Sequence, residues 1–185
     1  MTYPKLNGKG FTLLEMMVVV AIISLMSVLV MGNYNSQKKA KEMQFSAQKI
    51  ADSIRKAQNY SINIKKLEGY NVSGGYGIHF IAGNSFTIFL DDSVDRNKTY
   101  GVEDHDVETV ELPSGVNIES LNGGAVVGAA DLVFEPPYGN VHMSFDGTLQ
   151  TSTPSLSLSI EIKRSGESCP EFCKTVSINS QGQIN

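Results

Sequence analysis

The stretch that decides the fold is residues 10–31, GFTLLEMMVVVAIISLMSVLVM. From Phe11 to Met31 it supplies about the twenty apolar residues needed to span a bilayer. An ordinary secretory signal has a shorter apolar region followed by a small-residue cleavage site, and no such site closes this run. The sequence therefore predicts a membrane-inserted helix that is kept after export.

The flanks of this run predict its orientation. The preceding residues 1–10, MTYPKLNGKG, carry Lys5 and Lys9 as their only charges. The positive-inside rule then places this flank in the cytoplasm and the rest of the chain outside, as a single-pass protein of the inner membrane. Three lysines on the other flank oppose that assignment: Lys38, Lys39 and Lys41.

Glu15 is the one ionisable residue inside the apolar run. A carboxylate in a membrane span is costly and usually has a partner, which makes it a functional residue by default. If the chain were cut just before Phe11, the new α-amino group of a neighbouring subunit would be a suitable partner. The alternative is that Glu15 lies close enough to the membrane surface to reach water.

The segment Gly10-Phe11-Thr12-Leu13-Leu14-Glu15, behind a short basic leader and before an unbroken apolar helix, resembles the class III signal of type IV prepilins and type II secretion pseudopilins. The resemblance implies that a membrane prepilin peptidase, which is also the N-methyltransferase, cuts after Gly10 and methylates Phe11. It also implies that Glu15 contacts the N-terminus of the adjacent subunit during assembly. A glycine suits the cut because a residue without Cβ lets the peptidase approach the backbone closely.

Beyond Gly32 the sequence becomes polar but keeps a helical period. Apolar residues recur at steps of three and four, which predicts that one helix of about fifty residues continues through this region and packs one stripe on a sheet. The outer, lysine-rich face is typical of a solvated surface, and contact with acidic heads or lipid headgroups is the alternative. The stripe comprises Ala40, Met43, Ala47, Ile50, Ile54 and Ala57.

After Glu68 the pattern changes to short apolar segments between turn formers, which indicates strands. Asp146-Gly147 and Gly83-Asn84 are typical hairpin turns, and Ser180-Gln181-Gly182 is a further candidate. We therefore predict an α+β protein, with an antiparallel sheet on the C-terminal half of the long helix. The predicted strands are Tyr76–Ile81, Ser85–Leu90, Val107–Leu112, Gly115–Ile118, Leu132–Phe134, Val141–Phe145, Leu156–Ile162 and Thr175–Ile178.

The order of these segments resembles the FimT/GspH-like minor pilins and pseudopilins. The resemblance rests on Gly77-Ile78-His79-Phe80, Phe89-Leu90-Asp91-Asp92, Leu112-Pro113-Ser114-Gly115-Val116, Phe134-Glu135-Pro136-Pro137-Tyr138-Gly139 and Val176–Gly182. It implies a type IV pilin-like fold. The expected division is a cleaved leader at 1–10, the transmembrane half of the helix at 11–31, the external half with a linker at 32–68, and a β-rich head at 69–185.

Charge is divided unequally along the chain. Residues 11–68 hold eight Lys/Arg and four acidic residues, a net charge of +4, whereas residues 69–185 hold five Lys/Arg and fifteen acidic residues, a net charge of −10. Such a head repels phosphate, so nucleic acid is an unlikely partner. No catalytic or phosphate-binding motif accompanies the three histidines, and we expect neither an enzyme nor a cofactor.

Cys169 and Cys173 are the two cysteines of the chain. A local disulfide is possible if the chain turns between them in an oxidising compartment, and free thiols are the alternative. Asp91, Asp92 and Asp95 begin an acid-rich loop whose oxygen ligands could hold Ca²⁺. A solvated loop is the preferred interpretation because the spacing does not match an EF-hand.

These features predict a minor pilin or pseudopilin subunit of a type IV pilus or type II secretion pseudopilus. Its expected partners are the prepilin peptidase, other pilin or pseudopilin subunits, the inner-membrane assembly platform and membrane lipid. Two alternatives stay open. One is a DNA-uptake or adhesion subunit at a pilus tip, and the other is a single-span membrane-anchored protein that is never polymerised.

Overall fold

The computed structural model describes residues 10–67, 69–70, 74–92, 96–151, 153 and 155–185, without the side chains of residues 29–33 and 35–36. The leader residues 1–9, Glu68 and the candidate calcium ligand Asp95 lie outside the described residues. The chain divides into two compact units, Met1–Lys39 and Ala40–Asn185.

The described elements are one long helix and ten strands. In chain order they are α1 (Leu13–Ile62), β1 (Tyr76–Ile81), β2 (Ser85–Leu90), β3 (His105–Glu111), β4 (Val116–Asn122), β5 (Val126–Val127), β6 (Ala129–Glu135), β7 (Asn140–Phe145), β8 (Thr148–Leu149), β9 (Ser157–Arg164) and β10 (Cys173–Asn179). All strand pairs are antiparallel. The α+β prediction with an antiparallel head is therefore confirmed.

The part of α1 beyond residue 40 contributes one face to the core of the second unit. Met43, Ile50, Ile54 and Ala57 are fully buried. Ala47 is partly buried and packs against the same cluster, whereas Ala40 is exposed. The compact unit Ala40–Asn185 thus includes this stretch of helix, because the helix shares its core.

The prediction of a single sheet is wrong. A six-stranded sheet has the order β3-β2-β1-β6-β7-β8, and a four-stranded sheet has the order β10-β9-β4-β5. Sheets commonly hold four to six strands, and a single helical face would leave the inner side of a ten-stranded sheet partly uncovered. Dividing the strands lets both sheets bury one face in the same core, which includes Ile78 and Phe80 of the first sheet and Leu158 and Ile160 of the second.

Strand boundaries differ from the predictions at several ends. β1 and β2 have the predicted bounds, but β3 begins at His105 and β6 extends over Ala129–Glu135. β5 and β8 were not predicted, because two-residue strands carry no periodicity. Asp146 and Gly147 both have positive φ, 50° and 75°, as the tight turn between β7 and β8 requires.

Candidate functional site: the N-terminal segment and the acidic loop of the head

Thr12 caps the N-terminus of α1. Its Oγ1 accepts a hydrogen bond of 3.2 Å from the backbone N–H of Glu15, three residues further along the chain. This is the Ncap-to-N3 bond of a capping box, in which a glutamate at N3 is the favoured residue. Glu15 is also the acidic residue of the first turn, where the helix dipole stabilises a negative charge.

Sequence reasoning missed this local role of Glu15. The pattern Thr-x-x-Glu at residues 12–15, directly before an apolar run, is a recognised start signal for a helix. An acidic residue at position 15 thus stabilises the start of its own helix, and it is also the residue proposed to contact a neighbouring subunit. Mutations can separate these two roles.

Gly10 and Phe11 precede the helix and are both exposed. An ideal Cβ placed on Gly10 meets no atom within 4 Å. Packing against the described residues therefore does not require glycine at this position.

The apolar side chains of the first unit lie unburied around the whole helix. A soluble surface helix normally exposes a polar face and buries an apolar stripe. Here the described segment has no buried side chain between residues 11 and 28. The exposed large apolar residues are Phe11, Leu13, Leu14, Met16, Met17, Val18, Val19, Val20, Ile22, Ile23, Leu25, Met26 and Val28.

The two serines of this segment satisfy their hydroxyls within the helix. Ser24 Oγ donates to the Val20 carbonyl and Ser27 Oγ to the Ile23 carbonyl, each at 2.8 Å. Hydroxyls bonded to the carbonyl four residues earlier need no outside partner. Within the described residues, no helical segment meets the combined length and apolarity of a membrane span.

In the head, Asp91 lies at the centre of a buried ionic cluster. Its side chain is 0% exposed, and its Oδ2 is 3.5 Å from the ammonium of Lys98, whose side chain is 7% exposed. Lys98 Nζ also donates a 2.6 Å hydrogen bond to the Gly74 carbonyl and lies 3.6 Å from Glu135 Oε1. The ammonium of Lys98 therefore balances the negative charge of Asp91, which a bound Ca²⁺ would otherwise have balanced.

Glu135 joins this cluster to His142. Glu135 Oε2 lies 3.2 Å from His142 Nε2. Burial opposes ionisation of Glu135, but the hydrogen bond from His142 and the positive charge of Lys98 outweigh it and lower the pKa of the carboxyl. The carboxylate therefore stays charged and fixes the orientation of the imidazole.

Asp104 closes the turn that leads into β3. Its Oδ2 accepts a 2.8 Å hydrogen bond from the backbone N–H of Gly101. Burial raises the pKa of Asp104 to about 6, with a smaller contribution from the negative charge of Asp91. This side chain therefore titrates close to neutrality, unlike an ordinary surface aspartate.

A second polar network lies between β1, β6 and β7. Asp131 Oδ1 is 2.6 Å from His79 Nδ1, while its Oδ2 accepts hydrogen bonds from the Ser144 hydroxyl and the Tyr100 backbone N–H. The His79 ring stacks on the Tyr100 ring at 4.4 Å between centroids. These contacts satisfy a buried carboxylate and attach the acidic loop to the sheet, which is a structural role.

Cys169 and Cys173 are joined by a disulfide at the start of β10. The carboxylate of Glu161 lies beside both sulfurs. Sulfurs bonded to each other lack the thiolate charge that binds a metal, so this group does not form a metal site in the oxidised protein.

Comparison with known proteins identifies the N-terminal segment. Residues 5–31 match the prokaryotic N-terminal methylation motif. No curated protein and no solved structure matches the chain. The matched range contains Gly10, Phe11, the Thr12 cap and Glu15, and it is a motif of chains that a prepilin peptidase processes. This match supports a protein of the type IV prepilin and pseudopilin type.

Proposed function

We propose that this protein is a minor pilin or pseudopilin subunit, which assembles into a type IV pilus or a type II secretion pseudopilus. Prepilin peptidase cuts the chain after Gly10 and methylates the new N-terminus at Phe11. The mature subunit is held in the inner membrane by its apolar helix, with the head outside the cytoplasm. The assembly platform then moves it into the filament together with other pilin or pseudopilin subunits.

The observation that carries this proposal is the methylation motif at the start of a helix whose apolar side chains are exposed on every side. Such a surface is unfavourable in water and must be covered by lipid or by other subunits. In the sequence the apolar run extends from Phe11 to Met31, about the length that spans a bilayer. Lipid before assembly and neighbouring helices after assembly both provide the required cover.

Glu15 is the proposed assembly residue. It is the one ionisable residue between Phe11 and Met31. Cleavage before Phe11 creates an amine four residues from Glu15 in the same chain and an equivalent amine in each neighbour. In a low-dielectric environment a charged pair between subunits is favoured over two isolated charges, so the pair would fix the axial register of the helices.

A role as a minor subunit of the FimT/GspH-like kind is supported by the order of the head motifs. The net charge of −10 over residues 69–185 opposes a role in DNA uptake. The part of the chain after Cys173 holds Lys174 as its one basic residue. An adhesion subunit at a pilus tip is the second candidate, and it is supported by an open groove on the head whose lining includes Tyr138, Asn140 and Gln181.

The test is the fate of the protein in cells that carry the filament machinery. Surface filaments are sheared and collected from cells with and without an active prepilin peptidase, and this subunit is quantified by immunoblot against a major subunit. We expect this subunit in the filament fraction of cells that have the active peptidase, at a much lower level than the major subunit. We expect none in the filament fraction of cells without the peptidase. Retention in the membrane fraction of both strains would contradict assembly and leave a membrane-anchored protein.

A further inference from the structure

Two turns of the head form the walls of a groove. One turn connects β6 to β7 and ends at Gly139, and the other follows β10 at residues 180–182. The groove encloses about 410 Å³, and its lining includes Tyr138, Asn140, Val141, His142, Ser180 and Gln181. Its size falls in the range of small-molecule sites.

Hydrogen bonds within the protein hold the walls of this groove in place. Asn179 Oδ1 accepts the backbone N–H groups of Gln181 at 3.0 Å and Gln183 at 2.9 Å. The Ser180 hydroxyl donates to the Thr153 carbonyl at 2.9 Å. On the opposite wall, the Gly139 N–H donates to the Glu135 carbonyl at 2.8 Å. The turns therefore need little ordering when a ligand binds.

Close packing against the end of α1 fixes the position of both turns. A Cβ on Gly139 would lie 3.1 Å from the Ile62 side chain, and a Cβ on Gly182 would lie 3.3 Å from Gln58 and from Val141. Both glycines have positive φ, 69° and 78°. Glycine is favoured at both positions because it allows this backbone conformation and this close approach.

Apart from Val141 and the His142 imidazole, the side chains that line the groove are polar and uncharged. Tyr138 is 84% exposed, and Asn140 and Gln181 are also exposed. Within the described part of the chain, the side-chain polar atoms of these three residues make no hydrogen bond to the protein. Each amide offers two donors and an acceptor, and the tyrosine adds an aromatic face and a hydroxyl.

We infer that this groove binds a neutral saccharide. A pyranose ring has an apolar face that can lie on Tyr138, and its hydroxyls match the donors and acceptors of Asn140 and Gln181. Tyrosine supplies a large amphipathic contact at low cost in conformational entropy. Acidic ligands are disfavoured, because Glu135 lies beside His142 and residues 69–185 have a net charge of −10. The inference does not depend on filament assembly.

Saturation-transfer NMR on the full-length protein tests this inference. The protein is extracted in lauryldimethylamine oxide, because a detergent with a sugar headgroup would compete for the groove. The probes are maltohexaose, cellohexaose and mannohexaose at about 5 mM, a concentration suited to weak binding, with hexagalacturonate as the acidic comparator. We expect transfer to the protons of at least one neutral probe and weaker transfer to hexagalacturonate.

Variants of two tyrosines locate the binding. Tyr138→Ala is expected to raise the Kd for the bound probe at least about tenfold, which corresponds to about 1.4 kcal/mol, while Tyr138→Phe stays within about threefold of the unmodified protein because the ring is kept. Tyr70→Ala is the matched control, since Tyr70 is exposed but stacks on His105 outside the groove. No transfer to any neutral probe, binding that survives Tyr138→Ala, or equal binding of hexagalacturonate would overturn the inference.

Discussion

The backbone N–H of Glu15 donates a hydrogen bond to Oγ1 of Thr12 at 3.2 Å, so the residue proposed to pair with a neighbouring subunit also lies in the first turn of its own helix. A negative charge there is stabilised by the helix dipole. An acidic residue at this position therefore has a local explanation that needs no partner. Any test of the assembly role must keep the cap intact while it removes the charge.

Glu15→Gln meets that requirement, because glutamine also serves at N3 of a capping box. We expect the amount of subunit in sheared filaments to fall at least about tenfold, since hydrogen bonds to charged groups contribute about 1.5–3 kcal/mol. Thr12→Ala is the matched control: it removes the cap, at a cost of about 1 kcal/mol to the helix start, but keeps the charge. We expect its level to stay within about threefold of the unmodified protein. Normal assembly of Glu15→Gln would assign Glu15 to the helix cap alone.

The buried pair of Lys98 and Asp91 predicts a large loss of stability for Lys98→Met. This change leaves a fully buried carboxylate without the ammonium that lies 3.5 Å away. Removing one member of a buried pair typically costs about 3–5 kcal/mol, because the remaining charge is uncompensated. Urea unfolding, followed by far-UV circular dichroism, measures the free energy of unfolding.

The double variant Asp91→Asn/Lys98→Met removes both charges and is expected to recover part of that loss. The size of the recovery separates the cost of removing the ammonium beside Asp91 from the cost of losing the hydrogen bond to the Gly74 carbonyl. If Lys98→Met alone were as stable as the unmodified protein, a group other than Lys98 would balance the charge of Asp91.

Asp104 predicts that the stability of the head depends on pH near neutrality. Its folded-state pKa of about 6 lies above the ordinary value of 3.8 because burial disfavours the charged form. The folded state then binds more protons than the unfolded state between these values, so this residue lowers stability as pH rises from about 4 to above 6. Asp104→Asn should therefore be more stable than the unmodified protein at pH 7.5, by about 0.5–1 kcal/mol after allowance for partial exposure.

The same pair of proteins compared at pH 4 provides the control for Asp104. The difference in the free energy of unfolding should be much smaller there, because pH 4 lies close to the ordinary pKa of 3.8 and well below the folded-state pKa of about 6. A difference that is constant from pH 4 to pH 7.5 would assign the effect of the substitution to packing rather than to charge.

The disulfide between Cys169 and Cys173 closes a short loop at the edge of the four-stranded sheet. The chain-entropy relation for a loop of this length gives a stabilisation of about 2 kcal/mol. Reduction, or the double change Cys169→Ser/Cys173→Ser, should lower the free energy of unfolding by about that amount. If a reducing agent shifts the urea midpoint of the unmodified protein but not of the double variant, the effect belongs to this bond. An equal shift of the urea midpoint in the unmodified protein and in the double variant would contradict a stabilising role for the disulfide.

The sequence was sufficient to predict the features that depend on local pattern. The alternation in Leu158, Ile160 and Ile162 indicated a strand with one buried face, and all three residues are buried in β9. The helical stripe indicated Met43, Ile50 and Ile54 as core residues, and they are fully buried. The face of a helix or strand that each side chain occupies is determined by its spacing from nearby residues in the sequence, so a short stretch of sequence is enough to predict which residues are buried.

Features that depend on distant partners could not be read in the same way. The division into two sheets follows from pairings such as Ile160 with both Leu121 and Val176, which no local pattern specifies. The acid-rich loop was expected to be solvated, yet Asp91 is buried because Lys98 and the Gly74 carbonyl complete a polar cluster around it. The cap formed by Thr12 was detectable, since Thr-x-x-Glu is a local signal.

The intact mass of the membrane-extracted protein, expressed with and without an active prepilin peptidase, tests the central claim most directly. We predict the loss of residues 1–10 and the gain of one methyl group on Phe11 when the peptidase is present, and no loss with Gly10→Val. An ideal Cβ on Gly10 meets no atom of the described residues within 4 Å, so this variant causes no clash with them. A known prepilin in the same cells verifies that the peptidase is active. A full-length mass beside a correctly processed known prepilin would contradict the account, as would normal cutting of Gly10→Val.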